Sequence, residues 1–336
     1  MTAAGTARPA RRAEGRHPAA AGAGQRAVAG PHTLTAAYER CRRLHRRHGR
    51  TYYLATLLLP AWKRRHVHAL YGFARYADEI VDDLDSTLDR AEQAAALRAF
   101  GEGFFAGLRG APCDDPVLPA VLHTVRAFGL DVGDFEKFLD AMAMDLVAEQ
   151  YATYDDLLGY MEGSAAVIGT MMSPILEPSD PVRAREHARQ LGLGFQLTNF
   201  IRDVAEDLER GRVYLPMADL ERFGVTRADL AAGDVTPAVR ELLAFEVERA
   251  RAHYRAAAPG IELLAPSSRP CIRTAVALYG GILTEVERAG YQVLRGRVRV
   301  PRRRRLAVAS RNWAAARRAA LAERQVRVTT PGAAPR

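Results

Sequence analysis

The chain is poor in the features that would tie it together covalently or carry it through a bilayer. Its three cysteines, Cys41, Cys113 and Cys271, are far apart and odd in number. That argues against a disulfide framework and against a zinc site, and it suits a reducing cytosol. Nowhere do about 18 apolar residues follow one another, so no transmembrane helix is expected. No apolar run of the secretory-signal kind stands near the N-terminus. Strand-like alternation is missing, as is any repeat of roughly 20–50 residues beyond two acidic motifs. No glycine-rich dinucleotide loop joins a strand to a helix.

What is present is unevenly charged. The net charge of +9 divides into basic ends and an acidic body. Residues 1–50 carry 11 Arg against Glu14 and Glu39, a balance of +9, and residues 295–336 carry 13 Arg against Glu323, a balance of +12. The body between them is therefore at −12. An acidic body does not suit a nucleic-acid-binding fold, and none is expected to bind there. Arginine-rich ends can nonetheless meet phosphate surfaces of any kind.

Residues 1–32 are Ala, Gly, Arg and Pro with almost no large apolar side chain, so they cannot bury a core. They read as a disordered leader, with a superficial likeness to a transit peptide. From Leu34 the hydrophobic period is helical and stays so. Helices are expected at Leu34–His48, Tyr52–Leu59, Pro60–Asp83, 87–108, 115–128, 132–148, 153–172, 180–210, 236–257 and 270–294. Proline and glycine fall between these segments, except for Gly163, Gly169, Gly192, Gly194 and the pair Gly280-Gly281. A glycine inside a helix costs about 1 kcal/mol relative to alanine, so these mark close approach of another helix or a ligand. The reading is one all-α domain over 33–300, with 301–336 as a basic C-terminal tail.

The chemistry concentrates in residues 196–215. Asn199, Asp203 and Asp207 recur every fourth residue and share one helix face. Carboxylates so spaced repel one another unless a cation offsets the repulsion. A solvated face is the plain alternative, but Leu197, Phe200, Ile201 and Val204 interleave with them, and buried carboxylates need a partner or a metal. A second acidic pair, Asp78 and Asp82, follows Arg75 upstream, while Arg202 adjoins the later motif. Two such faces across a bundle interior could hold Mg²⁺ around one diphosphate, with guanidinium groups bonding its oxygens.

Several segments together resemble the squalene/phytoene synthase family. They are His48-Gly-Arg-Thr-Tyr52, the pair Asp78 and Asp82, Tyr160 to Gly169, the Asn199–Asp207 motif, and Tyr291–Val300. The resemblance spans about Leu34 to Arg305 and is nearest in wording to bacterial members of the carotenoid pathway. It implies an all-α isoprenoid-synthase-like helical bundle with a central cavity, Mg²⁺ dependence with Mn²⁺ as a substitute, and two prenyl diphosphates as substrates. By position it implies Asp78, Asp82, Asn199, Asp203 and Asp207 as metal ligands. Arg50, Tyr71, Arg75, Arg202, Arg297 and Gln196 would bind substrate. Tyr160 and Tyr279 would join Asp78, Asp82, Asp203 and Asp207 as catalytic residues, with Tyr71, Tyr160 and Tyr279 lining the reacting end. Arg50 replaces the family's usual lysine, and Glu162 and Ala166 depart from its pattern beside Tyr160. Apart from the resemblance, Tyr160 and Tyr279 read as core tyrosines with satisfied hydroxyls. His48, His66 and His68 lack a metal-like grouping and read as structural or exposed.

The implied reaction is ionisation of one diphosphate, head-to-head attack by a second prenyl chain, a cyclopropyl diphosphate intermediate, and a second ionisation ending in proton loss. Geranylgeranyl diphosphate is the favoured substrate, on the small residues Ala55, Thr56 and Ala69; no NADPH is expected. Farnesyl diphosphate with a squalene or dehydrosqualene product remains open. So do a class I terpene cyclase and a non-catalytic scaffold relative. The expected place is the cytoplasm, with peripheral contact at the inner membrane face through the basic tail, and with carotenoid-pathway enzymes as partners.

Overall fold

Many of the helices among the described residues begin on a capping side chain or a proline visible in the chain. The computed structural model describes residues 33–82 and 88–329; the expected leader, Asp83 and Asp85 lie outside the described residues. Helix α1 (Leu34–His48) is capped by the Thr33 hydroxyl, which accepts from the Ala36 N–H at 3.2 Å. α2 (Arg50–Thr56) follows after Gly49, and α3 (Ala61–Asp82) after Pro60. α4 (Arg90–Leu108) opens on a reciprocal capping box between Asp89 and Glu92. α5 (Leu118–Phe128) and α6 (Val132–Met144) complete the first half.

The second half begins with α7 (Tyr154–Met161), α8 (Val167–Met172) and α9 (Pro181–Glu209). Asp180 caps α9 by accepting from the Arg183 N–H at 3.1 Å, Pro181 is its first residue, and Gly211 ends the run at φ 79°. Short helices α10 (Met217–Arg222) and α11 (Arg227–Ala231) lead to α12 (Pro237–Ala257), α13 (Gly260–Leu263), α14 (Arg269–Arg288) and α15 (Arg302–Thr329). Among the described residues the only extended pairing is a single bridge between Gln150 and Val213. The all-α expectation holds.

The differences from the sequence reading have local causes. Residues 153–172 run as one helical path, but Glu162–Ala166 is a wide π-turn that separates α7 from α8. The helix expected to reach residue 148 stops at Met144, and the Asp145 carboxylate turns inward to accept from the Tyr160 hydroxyl. The stretch expected to run to residue 294 ends at Arg288, ahead of left-handed Gly290 and Tyr291. Residues 302–329, read as a tail, are helical, and α15 lies along α14. Its inner side buries Ala316, joins Asn312 to the Thr274 hydroxyl at 2.9 Å and pairs Arg304 with Glu285 at 2.9 Å.

Two apolar clusters fill the body. One gathers α1 and α3–α6 around Phe73, Phe104 and Phe135; the other gathers α7, α9, α12 and α14 around Leu197, Ile201 and Leu243. The π-turn and α8 pack on α9 so closely that side chains do not fit between them. A Cβ on Gly169 would run into the Ala188 carbonyl oxygen, and one on Gly192 into that of Ala165. Gly163, Gly169 and Gly192 thus mark close helix contact, as expected from the sequence, whereas Gly280, expected to do the same, has nothing within 4 Å of its would-be Cβ.

Candidate functional site

A cavity of about 310 Å³ lies between the two clusters. Its walls come from α1–α3, residues 164–176, α9, residues 257–264 and the first turns of α14. Most of the lining is apolar: Ala55, Leu59, Leu70, Ile168, Leu191 and Phe195 are representative. Tyr71 and Ala74 of α3 and Gln196 and Asn199 of α9 line the same cavity, so the two motif-bearing helices share its polar end. Ala55 and Thr56 stand on the wall as expected, whereas Ala69 is buried behind it.

Beyond Tyr71, α3 carries its acidic motif toward solvent. Arg75 bonds both Asp78 and Glu79, the latter at 3.1 Å, and the Asp78 side chain is 41% exposed. Asp82 closes the helix; its side chain lies outside the described atoms. Gly49 holds the α1–α2 junction against this stretch, since a Cβ there would sit 2.6 Å from the Tyr71 ring. Arg50, exposed at the start of α2, directly follows this junction.

On α9 the same spacing meets a drier setting. Asp203 is buried, takes Arg202 Nε at 2.7 Å and Arg297 Nε at 2.6 Å, and Arg297 also reaches Glu206 at 2.7 Å. Asp207 sits in a narrow crevice with Phe200, Val204, Arg212 and Tyr214. Burial pushes its carboxyl up to about 7, and the neighbouring Asp203 adds to the rise. The Asn199 amide oxygen is buried without a hydrogen-bond partner, an acceptor in search of a donor or a cation.

The two catalytic tyrosines expected from the sequence are not on the cavity wall. Tyr279 is buried behind it, stacked on the lining residue Tyr52 with ring centroids 4.4 Å apart, and touching Phe195. Burial raises its hydroxyl, and the Arg202 guanidinium opposes that rise. Tyr160 is buried in the second cluster, donating to Asp145 Oδ2 at 2.9 Å and stacked near Tyr151 and Tyr214. Its hydroxyl is satisfied, and Asp145 in turn holds Arg212 through its carbonyl oxygen at 2.9 Å. Glu162, where the sequence departs from the family pattern, is half-buried and pairs with Arg189 at 2.9 Å away from the cavity lining.

Other contributors passed unnoticed in the sequence. Tyr52 and Phe195 give the cavity aromatic walls. Glu79 binds Arg75 and stands 3.5 Å from His48. His45 lines the cavity, stacks flat on Tyr71 at 4.0 Å and meets His68 Nδ1 to Nδ1 at 2.9 Å. Burial drives His45 down to about 3, and burial with nearby Arg42 drives His68 down to about 4, so the pair is neutral. Helical spacing from Cys41 and Leu44 was the available signal for His45 facing inward.

Among the described residues, no three histidine, cysteine or carboxylate side chains converge on one metal-sized point. The donors on this face of α9 are hard oxygens: Asn199 Oδ1, on the cavity wall and without a partner, and one and two turns further along Asp203, buried, and Asp207, in the adjoining crevice. That set fits a small oxygen-seeking divalent cation rather than a soft one.

Comparison with known proteins agrees with this architecture. Residues 45–304 match the family model described as squalene/phytoene synthase. A 15-cis-phytoene synthase of Synechocystis sp. is 37% identical over 281 residues, covering 80% of this chain and 82% of the relative. Another, from Synechococcus elongatus, is 33% identical over 285 residues, covering 82% and 91%. Among solved structures, a dehydrosqualene synthase in complex with a ligand superposes with a TM-score of 0.77 at 26% identity, covering 83% of this chain and 96% of that one. A squalene synthase from Alicyclobacillus acidocaldarius gives 0.69 at 30% identity, covering 77% and 96%. The chain belongs to the squalene/phytoene synthase family.

Proposed function

We propose that the protein is a phytoene synthase, a prenyltransferase of carotenoid biosynthesis that joins two geranylgeranyl diphosphates head to head. The observation that carries this reading is one apolar cavity whose polar end is built jointly by α3 and α9, the two helices that bear the acidic motifs. The substrate length rests on relatives named phytoene synthase at 33–37% identity over about four-fifths of the chain.

In this reading Asp78, Asp82, Asn199, Asp203 and Asp207 hold Mg²⁺, with Mn²⁺ able to replace it. Bound there, the cation supplies charge neutralisation for a departing diphosphate. Arg50, Arg75, Arg202 and Arg297 bond the diphosphate oxygens, the last three exchanging a carboxylate partner for a phosphate one. Gln196 orients the substrate from the cavity wall. Tyr71, Tyr52 and Phe195 exclude water from an allylic cation and offer it aromatic faces, each worth roughly 0.5–2 kcal/mol. The chain walls then align the second prenyl double bond, so that C–C bond formation, with one proton lost to the released diphosphate, gives a cyclopropyl diphosphate. Loss of the second diphosphate, rearrangement and release of one proton give phytoene, a sequence that needs no hydride donor. Tyr160 and Tyr279 act from behind the wall as positioning residues: Tyr160 fixes Asp145 and through it Arg212, and Tyr279 supports Tyr52 and Arg202. The catalytic unit is assigned to 33–300, and the protein to the cytoplasm with peripheral membrane contact.

A shorter substrate is the second reading, favoured by the superposition on a dehydrosqualene synthase. Product analysis on the purified chain separates the two, offering farnesyl or geranylgeranyl diphosphate with Mg²⁺, with and without NADPH. Phytoene from the longer substrate without NADPH, lost in an Asp82→Ala, Asp203→Ala variant, is the expected result. Squalene or dehydrosqualene would correct the substrate, and no head-to-head product from folded protein would overturn the reading.

A further inference from the structure

One surface of the molecule takes no part in the cavity or its rim. Helix α15 packs its inner side on α14, but its outer side carries Leu306, Trp313 and Leu321, which are 66%, 53% and 58% exposed. They are seven and eight residues apart, two turns each, and so lie along one side of the helix. Arg302, Arg303, Arg311, Arg317 and Arg318 are exposed around them, and no acidic residue occurs between 302 and 322. The Arg317 guanidinium sits over the Trp313 ring at 4.9 Å. Solubility alone would account for the arginines but not for the apolar line between them. Of the eight large hydrophobic side chains exposed among the described residues, three fall on this one side, so they are not scattered surface residues.

We propose that the outer side of α15 is a docking surface for an anionic phospholipid bilayer. Each part of the surface has a use there. Leucine and tryptophan gain by leaving water for the boundary between headgroups and acyl chains, where tryptophan is at home. Arginines beside them meet lipid phosphates while their stems cover apolar surface. A nucleic acid would satisfy the guanidinium groups but leave Leu306 and Leu321 in water. A second copy of α15 would bring arginine against arginine. The inference refines the peripheral membrane contact of the proposed function, yet its binding step holds whatever prenyl chain the cavity accepts.

The full chain is floated with vesicles of phosphatidylcholine alone or mixed with phosphatidylglycerol, at low salt and at ~1 M salt, where the screening length falls to ~3 Å. Binding to the anionic vesicles only, abolished by salt, is expected, with Trp313 emission moving to shorter wavelength in a Trp62→Phe background. Arg317→Ala with Arg318→Ala should weaken partitioning by about 30-fold. Leu306→Ser with Trp313→Ser and Leu321→Ser should remove it. Both variants should keep helicity and wild-type turnover of detergent-dispersed substrate, since these residues lie outside the catalytic rim. Equal binding to neutral vesicles, no binding, or variants that bind like wild type would overturn the proposal. So would concentration-dependent dimerisation lost on Trp313→Ser, which would assign the surface to a second copy.

Discussion

The two acidic motifs share a four-residue spacing and differ in almost everything else. On α3 Asp78 is half in solvent and is matched by Arg75 from its own helix, one turn away. On α9 Asp203 is buried and needs Arg297, 94 residues further on, as well as its neighbour Arg202. Asp207 is left with a carboxyl pushed up to about 7 by burial. Equal spacing therefore gives one motif that is electrostatically settled and one that is held under strain. The strained one is where a charge arriving from outside changes the most energy.

The contrast can be broken outright by the Asp82→Ala, Asp203→Ala variant. Removing a carboxylate from each side should lower head-to-head product formation by at least ~10³-fold, about 4 kcal/mol of barrier, in single-turnover assays. Asp207→Asn and Asp78→Asn sharpen it. Both should lower turnover, by roughly 10²-fold, but only Asp207→Asn should stabilise the metal-free protein, by about 1 kcal/mol near neutral pH. The sign follows from the folded carboxyl lying near 7 against an ordinary 3.8, so its ionisation opposes folding as pH rises between those values. The gain should vanish near pH 4 in denaturant titrations; an equal gain from Asp78→Asn would dissolve the distinction.

Gly192→Val tests whether the α9 motif owes its setting to close packing. The added atoms would meet the Ala165 carbonyl, a rigid backbone obstacle, and about 2–4 kcal/mol of stability should be lost in chemical denaturation. The α3 side has a counterpart in the His45–His68 pair behind Tyr71. Both rings titrate below their ordinary 6.5 in the folded chain, so the unfolded chain takes up protons first. Stability should fall as pH drops from about 6.5 toward about 3. His45→Asn should flatten that slope by about 1–2 kcal/mol over the window. Unchanged slopes would remove the pair from the account.

Much of this was legible in the chain because it depended on local period. Helix α9, its Asp180 and Pro181 start, the glycine at its end and the shared face of Asn199, Asp203 and Asp207 all follow from residues close together in sequence. The close-packed glycines were legible for the same reason, as an expense that needed a neighbour. What stayed hidden depended on contacts between distant segments. Tyr160 and Tyr279 look alike as buried aromatic residues, but only the fold shows that Tyr52 and Phe195 stand between Tyr279 and the cavity, and that Asp145 turns Tyr160 away. The π-turn at 162–166 has no compositional mark. Helix α15 was read as a tail on its arginine content, although alanine and arginine favour helix; which side is buried was hidden, since Asn312 and Arg304 find their partners on α14.

The central claim is that the two unequal motifs together hold one Mg²⁺–diphosphate group. Calorimetric titration of inorganic diphosphate into the full chain, with and without Mg²⁺, tests it most directly, using wild type, Asp78→Asn and Asp203→Asn. The account predicts binding that requires Mg²⁺ and is weakened at least tenfold, about 1.4 kcal/mol, by either substitution. Equal binding without the metal, or indifference to one of the two motifs, would contradict it.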